Sequence, residues 1–276
     1  MVNGVASTST VDVSSGVPQG SVLAPYLFAS HMGSLFPALS STKIVKFADD
    51  VTLLCSYQQS TVLDELFSLE MTNMTTWCHD HGLTLNDSKT KIMLFKKPTI
   101  DHPASISLAP VAHRLKILGV TLQENLSWNE HIKELSKAAS KRIYLLKSLK
   151  KIHGVTKKDL VVIYNSIVVS VLEYNSPLLI GMSKKNNNDL EAIRKRCHRI
   201  VCGPKCECCN FPLLSDRREA QAMKVFKSIL TSDNLCHKLI PHTLPRSHHF
   251  FIPFFRTERR RKSFVPEMCL RWNSSL

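Results

Sequence analysis

The sequence lacks an apolar run long enough to cross a membrane. Its most apolar stretch covers residues 160–179, and Asn165, Glu173 and Asn175 interrupt it. A membrane-spanning helix needs about 20 nearly uninterrupted apolar residues. We therefore interpret this stretch as a buried helix and expect no membrane partner.

The usual features of a secreted protein are also lacking. Met1 is not followed by a basic segment and an apolar run, so no signal peptide is expected. The nine cysteines are odd in number and unevenly spread, which is typical of a reducing compartment rather than of a disulfide framework. These features favour an intracellular protein, either cytoplasmic or nuclear.

Acidic residues are scarce relative to basic ones. The chain has 36 Lys and Arg against 22 Asp and Glu, which gives a formal net charge of +14. This excess favours a polyanionic partner, because each phosphate that Lys or Arg neutralises releases counterions. A basic protein with no such partner is the alternative. With 276 residues, of which 43% are hydrophobic, the chain can bury one large core or two small ones.

The pattern of apolar residues predicts an α/β chain in three parts, divided as 1–125, 126–235 and 236–276. The first part begins with turn residues and a helix from about residue 21. Strands at 44–48 and 51–54, a helix over 61–79, a strand within 83–95 and a strand pair within 115–122 follow. The second part is helical, with basic amphipathic patterns over 129–151, 156–175, 187–202 and 215–231. The third part is rich in Pro, His and Arg, and we expect an extended basic tail that closes in a short segment at 264–272.

Two motifs and their spacing carry the functional interpretation. The loop Ser15-Gly16-Val17-Pro18-Gln19-Gly20-Ser21 precedes Phe47-Ala48-Asp49-Asp50 by about thirty residues, with a helix between them. Together they resemble two successive blocks of the reverse transcriptase palm, in the form typical of LINE-type (non-LTR) retrotransposons such as the jockey-like elements. Further matches follow in the expected order: Gly82-Leu83-Thr84-Leu85-Asn86 with Lys89-Thr90, then Leu118-Gly119-Val120-Thr121-Leu122, then Trp128 and His131, and finally residues 256–273.

The resemblance implies a partial polymerase palm with antiparallel strands, followed by a helical thumb. It also implies two magnesium ions for nucleotidyl transfer, an RNA template, a DNA primer and deoxynucleoside triphosphates. Asp49 is then a metal ligand, and Asp50 contributes charge and a second contact. Gly16, Pro18, Gln19 and Gly20 face the template, and Leu118 with Gly119 forms the primer grip. Lys89, like Lys91, either contacts the incoming triphosphate or lies on a solvated face.

One part of the family pattern is missing from these 276 residues. The family's polymerases use another aspartate from an earlier block, together with fingers that hold the nucleotide. Asp12 is the only acidic residue before Gly16, and it belongs to a different element. We therefore expect this chain by itself to be inactive. The alternatives are a non-catalytic nucleic-acid-binding remnant and the translated relic of a decayed element.

Two further clusters permit more than one interpretation. His198, Cys202, Cys206 and Cys209 are spaced like zinc ligands, with Cys197 and Cys208 adjacent, but the first two lie on a predicted helix. We expect free thiols rather than zinc. Two groups of basic residues either contact phosphates or form a solvated face. The thumb group is Lys133, Lys137, Lys141, Arg142, Lys147, Lys150 and Lys151. The C-terminal group, which is also compatible with a nuclear localisation signal, is Arg256, Arg259, Arg260, Arg261 and Lys262.

Overall fold

The computed structural model describes residues 16–56, 62–95, 110–203, 211–231, 233–245 and 247–275. The chain divides into two compact units, Met1–Ala112 and His113–Leu276. Both contain an antiparallel strand pair and helices, which confirms the predicted mixed α/β class.

The first unit is built on one hairpin and two helices. Helix α1 (Ala24–Gly33) precedes strands β1 (Thr42–Phe47) and β2 (Asp50–Cys55), and helix α2 (Leu63–Asp80) follows them. The two strands pair antiparallel, from Thr42 opposite Cys55 to Phe47 opposite Asp50. Alternation along β1 sends Thr42, Ile44 and Lys46 to the more buried face, while the side chains between them are exposed. The predicted strands and helices of this region are confirmed, with ends shifted by one to three residues.

The strand predicted within residues 83–95 does not form. Asn86 instead organises a turn: its side-chain oxygen accepts hydrogen bonds from Ser88 Oγ at 2.7 Å and Lys89 N at 3.3 Å. After this turn the backbone makes only an isolated bridge between Ile92 and Val111. An Asn side chain that bonds the backbone ahead of it favours a turn over a ladder, which explains why the strand prediction was wrong.

The second unit begins with a hairpin and continues as a helical bundle. Strand β3 (Arg114–Ile117) pairs antiparallel with β4 (Val120–Gln123), and the long helix α3 (Asn129–Leu149) follows. Helix α3 buries one stripe of apolar residues at helical spacing: Ile132, Leu135, Ala139, Ile143 and Leu146. Because β4 bonds to α3, as described below, the compact unit begins at His113, whereas the sequence placed the change near residue 125.

Further helices complete the bundle around α3. The sequence predicts where they lie but does not predict their π-helical and 3₁₀ segments. The predicted helix over 156–175 consists of α4 (Lys157–Ile163), a π-helical segment Tyr164–Val169 and α5 (Ser170–Leu172). A 3₁₀ turn, Ser176–Leu179, follows, and then come α6 (Lys184–Cys202) and α7 (Leu214–Ile229). The wider π turns expose the carbonyl oxygen of Ile167, which accepts a 2.7 Å hydrogen bond from Arg142 Nη1.

The C-terminal segment is folded rather than extended. It contains a short 3₁₀ turn at His237–Leu239, the one-turn helix α8 (Glu258–Arg261) and α9 (Phe264–Asn273). Phe250, Met268 and Cys269 are buried in one cluster with Ala222 and Phe226 of α7. Apolar residues at helical spacing in 264–272 therefore belong to a core, and the predicted tail is part of the second unit. No helix of the described chain is long and apolar enough to span a membrane.

Candidate functional site

Asp49 and Asp50 lie at the tip of the β1–β2 hairpin. Phe47 and Asp50 are the last paired residues, so Ala48 and Asp49 alone make the turn. Ala48 has a φ of 50°, a left-handed value that favours glycine and costs an alanine about 1–2 kcal/mol. Both aspartates are exposed. A two-residue turn leaves the backbone little freedom, so it fixes the positions of the Cα atoms that carry the two carboxylate side chains.

The aspartate pair has the donor chemistry of a magnesium site. Magnesium prefers carboxylate oxygens and keeps several waters, so one or two carboxylates often hold it beside substrate phosphates. No group of three or more His, Cys, Asp and Glu converges on one point within the described ranges. Asp49 and Asp50 therefore fit a magnesium ion in the chemistry of their oxygen donors, and they are two carboxylates rather than a group of three.

Lys46 ties this hairpin to α1, a contact that sequence reasoning missed. Its Nζ donates to the carbonyl oxygens of Met32 at 2.7 Å, Leu35 at 2.8 Å and Gly33 at 3.4 Å, which lie at and just after the end of α1. The last carbonyls of a helix have no intrahelical partner, and the negative end of the helix dipole favours a cation there. The inward register of Lys46 on β1 is the signal that sequence reasoning overlooked.

The loop before α1 adopts the glycine conformations that its sequence predicts. Gly16 and Gly20 have φ values of 99° and 83°, and no atom lies within 4 Å of where a Cβ would be at either position. Ser21 Oγ accepts a 3.1 Å hydrogen bond from Ala24 N and so fixes the start of α1. The side chain of Gln19 is exposed. The loop is thus open to an approaching strand, and α1 joins it to the hairpin of Asp49. Asp12 lies outside the described residues.

Lys89 belongs to the turn that Asn86 organises. Its backbone N–H is held by Asn86, while its side chain is exposed. The structure places Lys89 in the same compact unit as Asp49 and Asp50. This position is compatible with both interpretations of Lys89, a contact with the incoming triphosphate and a place on a solvated face.

The Leu118–Gly119 turn joins β3 and β4 in the second unit. Leu118 and Gly119 have φ values of 46° and 80°, the pair of positive angles that a type I′ hairpin turn requires. Tyr174 Oη donates a 2.8 Å hydrogen bond to Leu118 O. A Cβ on Gly119 would lie 2.8 Å from the Tyr174 ring, so the absence of a side chain there allows the ring to pack against the turn.

The strand after this turn is fixed to α3 by hydrogen bonds from the buried Thr121. Thr121 N donates to His131 Nδ1 at 3.3 Å, and Thr121 Oγ1 donates to Glu134 at 2.8 Å. His131 is 1% exposed, and its Nε2 has no partner within the described chain. Burial lowers the pKa of His131; the carboxylate of Glu134 opposes this effect and Lys116 adds to it. The imidazole is therefore neutral at pH 7.

Only part of the cysteine cluster can be placed. Cys206, Cys208 and Cys209 lie outside the described residues. Cys197 is fully buried, and burial raises the pKa of its thiol to about 11. Cys202 is buried at the end of α6, one turn after His198.

The chain that follows residues 204–210 is held by side chains of α6. Arg194 Nη1 donates to Phe211 O at 2.9 Å, and Glu191 Oε1 accepts from Leu214 N at 2.7 Å. Arg194 and Glu191 also pair with each other at 2.6 Å. These bonds fix the start of α7 against α6, on the C-terminal side of the cysteine cluster.

Comparisons of the sequence with known proteins relate it to one enzyme family. Residues 1–122 match the family model described as reverse transcriptase (RNA-dependent DNA polymerase). A protein of the type-1 retrotransposable element R1DM of Drosophila melanogaster is 31% identical over 141 residues, which cover 49% of this chain and 14% of that protein. The RNA-directed DNA polymerase from mobile element jockey of Drosophila funebris is 24% identical over 281 residues, covering 92% of this chain and 30% of its own length.

A third relative is covered over more of its length. The retrovirus-related Pol polyprotein from type-1 retrotransposable element R1 of Nasonia vitripennis is 25% identical over 236 residues, which cover 81% of this chain and 67% of the relative. No solved structure gives a significant match. Residues 1–122 therefore match the reverse transcriptase family, and most of the chain is similar to proteins of the R1 and jockey elements.

Proposed function

We propose that this chain supplies part of the active site of an RNA-directed DNA polymerase. The observation that carries the proposal is the two-residue turn that presents Asp49 and Asp50, both exposed, at the tip of an antiparallel hairpin. In this role Asp49 ligates a catalytic magnesium ion, and Asp50 adds negative charge and a second contact. The bond from Lys46 to the end of α1 holds the hairpin in place while substrates exchange.

Magnesium, when bound, neutralises the charge that develops on the transferred phosphoryl group and activates the primer hydroxyl. The residues of this chain position the partners. Gly16, Pro18, Gln19 and Gly20 form the loop that approaches the RNA template, since glycines let the backbone come close to a base pair. Lys89 faces the triphosphate of the incoming nucleotide.

The Leu118–Gly119 turn is proposed to hold the DNA primer. Its two positive-φ residues give a tight, rigid turn, and the bond from Tyr174 fixes the Leu118 carbonyl. A rigid backbone turn suits a primer terminus, because an error of about 1 Å in position lowers the rate of transfer strongly.

These 276 residues alone are proposed not to polymerise, because a two-metal site needs more carboxylates than Asp49 and Asp50 provide. Purified chain is incubated with a primed RNA template, magnesium and deoxynucleotides, and no extension is expected. Extension that disappears in Asp49→Asn would contradict the proposed inactivity and support the site. Extension that survives in Asp49→Asn would contradict the site itself.

A second candidate, a non-catalytic nucleic-acid-binding module, is favoured by the surface of α3. Three basic side chains on or just after this helix are engaged within the protein: Lys133 with Glu130, Arg142 with Ile167 O and Lys150 with Ile200 O. Exposed lysines remain along the helix and just after its end, namely Lys137, Lys141, Lys147 and Lys151. Backbone-driven affinity should weaken steeply with salt. Fluorescence anisotropy with duplex and single-stranded probes tests this, and salt-independent binding would count against it.

A further inference from the structure

One exposed segment of the C-terminal region, residues 251–257, is held firmly at both ends. Before it, Phe250 is 7% exposed and packs in the core with Phe226 and Trp272. The backbone of Phe250 exchanges two hydrogen bonds with the Asn273 side chain, at 2.8 and 2.9 Å. The segment therefore leaves the core at a fixed point.

After the segment, α8 is fixed to two other parts of the same unit. Arg259 Nη1 donates a hydrogen bond to Asn125 O, in the loop between β4 and α3. Lys262 passes so close to Gly181 that a Cβ there would overlap its backbone oxygen. Between these two points residues 251–257 are largely exposed, although Ile252 packs against the core. Helix α8, which follows them, contacts the loop after the proposed primer-gripping hairpin.

The arginines of this region differ in how far their charge is neutralised. Arg261 pairs with Glu258 at 2.6 Å and approaches Glu267 at 3.9 Å, and Lys262 pairs with Glu258 at 3.1 Å. These two cations lower the pKa of Glu258 to about 2. Arg256 and Arg260 are exposed, and no carboxylate of the described chain pairs with either. Their charge is available to a ligand.

An exposed aromatic ring precedes these free charges in the chain. Phe254 is 92% exposed, although a phenyl ring is strongly apolar. It is two residues from Arg256, about 7 Å along an extended chain. An open aromatic face beside unpaired arginines has the chemistry of sites that stack bases and neutralise phosphates of single strands.

We propose that Phe254, Arg256 and Arg260 form a binding surface for single-stranded nucleic acid. Phe254 stacks on an unpaired base, and the two arginines contact neighbouring phosphates. A paired duplex does not offer its base faces, so the surface selects single-stranded segments. The proposal rests on the proposed function in one respect, that the protein binds nucleic acid at all.

The test is fluorescence anisotropy of the full 276-residue chain with a uridine 20-mer and with a blunt-ended RNA duplex of two strands. We expect Phe254→Ala to weaken 20-mer binding about 5-fold or more and to leave duplex binding unchanged. Arg256→Ala/Arg260→Ala should lower the slope of log affinity against log salt by about 1.4, since each single-strand phosphate contact contributes about 0.7. Arg256→Lys/Arg260→Lys should keep the slope.

The matched control is Lys157→Ala/Lys158→Ala, which removes the same charge from the exposed start of α4. That site follows the far end of α3, a helix of 21 residues and so roughly 30 Å long. The control should leave the salt slope for the 20-mer unchanged.

The outcomes separate this inference from the function on which it rests. If the wild type binds the 20-mer and the Phe254 and arginine variants bind it equally well, the inference is overturned. The exposed surface would then be explained as a docking site for a protein. An equal loss in the control also overturns it, because total charge would then explain the effect. No wild-type binding in dilute salt overturns both the inference and the nucleic-acid-binding part of the proposed function.

Discussion

Tyr174 Oη and the carbonyl oxygen of Leu118 are 2.8 Å apart, and this hydrogen bond joins the helical bundle to the turn between β3 and β4. The two residues are 56 positions apart in sequence. The Tyr174 ring also lies against Gly119, at the position where any other residue would have its Cβ. The turn proposed to hold the primer is therefore shaped by a side chain from the bundle.

Replacing Gly119 by alanine should destabilise the second unit by about 2–4 kcal/mol. The left-handed φ of 80° accounts for about 1–2 kcal/mol, and overlap with the Tyr174 ring adds a similar amount. Urea denaturation followed by circular dichroism measures the change. Gly154→Ala is the matched control, since Gly154 has a φ of 90° but no atom within 4 Å of the added Cβ. Equal losses at Gly119 and Gly154 would show that Tyr174 does not constrain the turn.

Lys46→Met should destabilise the first unit by about 1–3 kcal/mol, because three carbonyl oxygens would lose a charged donor. Lys43→Met is the control: Lys43 is exposed on the opposite face of β1, and we expect a change within about 0.5 kcal/mol. Amide hydrogen exchange across β1 and β2 follows the hairpin directly. Faster exchange in the Lys43 variant than in the Lys46 variant would contradict the anchoring role.

The buried imidazole of His131 should make the second unit less stable in acid. Its folded-state pKa is lowered from 6.5 by burial, so stability is complete above pH 6.5 and falls as pH drops from there towards the folded-state pKa. Between these two pKa values, His131 is protonated in the unfolded chain but remains neutral in the folded chain. The loss is about 1.4 kcal/mol for each unit of pKa depression.

The effect of His131 can be separated from that of the other histidines by comparing pH profiles. His131→Gln keeps an acceptor for Thr121 N and removes the titration. Its stability should fall less steeply than that of the wild type between pH 7 and pH 5. Parallel profiles for the two proteins would contradict the assignment.

Local sequence signals predicted the hairpins and most of the helices. Asp49-Asp50 between two β-prone runs and Leu118-Gly119 before Val120 are short-range patterns. A turn forms at both places, although the first consists of Ala48 and Asp49, one residue earlier than predicted. The buried stripe of α3 follows helical spacing from Ile132 to Leu146, so its register was also predictable.

The contacts that shape the candidate site were not predictable, because they join residues far apart in sequence. The register of Lys46 on β1 indicates that its side chain points inward, but not that α1 ends beside it. Nothing near Tyr174 indicates that Leu118 is its acceptor. The π-helical segment includes Ile167, whose carbonyl oxygen accepts a hydrogen bond from Arg142 of another helix. Tertiary contacts of this kind override the local preference for a regular α-helix.

The central claim, that Asp49 and Asp50 hold a divalent metal ion, is tested most directly by paramagnetic broadening. The ¹⁵N-labelled chain is titrated with manganese, which substitutes for magnesium at oxygen sites, and amide signals are followed by nuclear magnetic resonance. We predict that residues 48–51 broaden first, that Asp49→Asn abolishes this effect, and that Asp80→Asn, an equal change at the end of α2, does not. Broadening that begins elsewhere, or that persists at the hairpin in Asp49→Asn, would contradict the account.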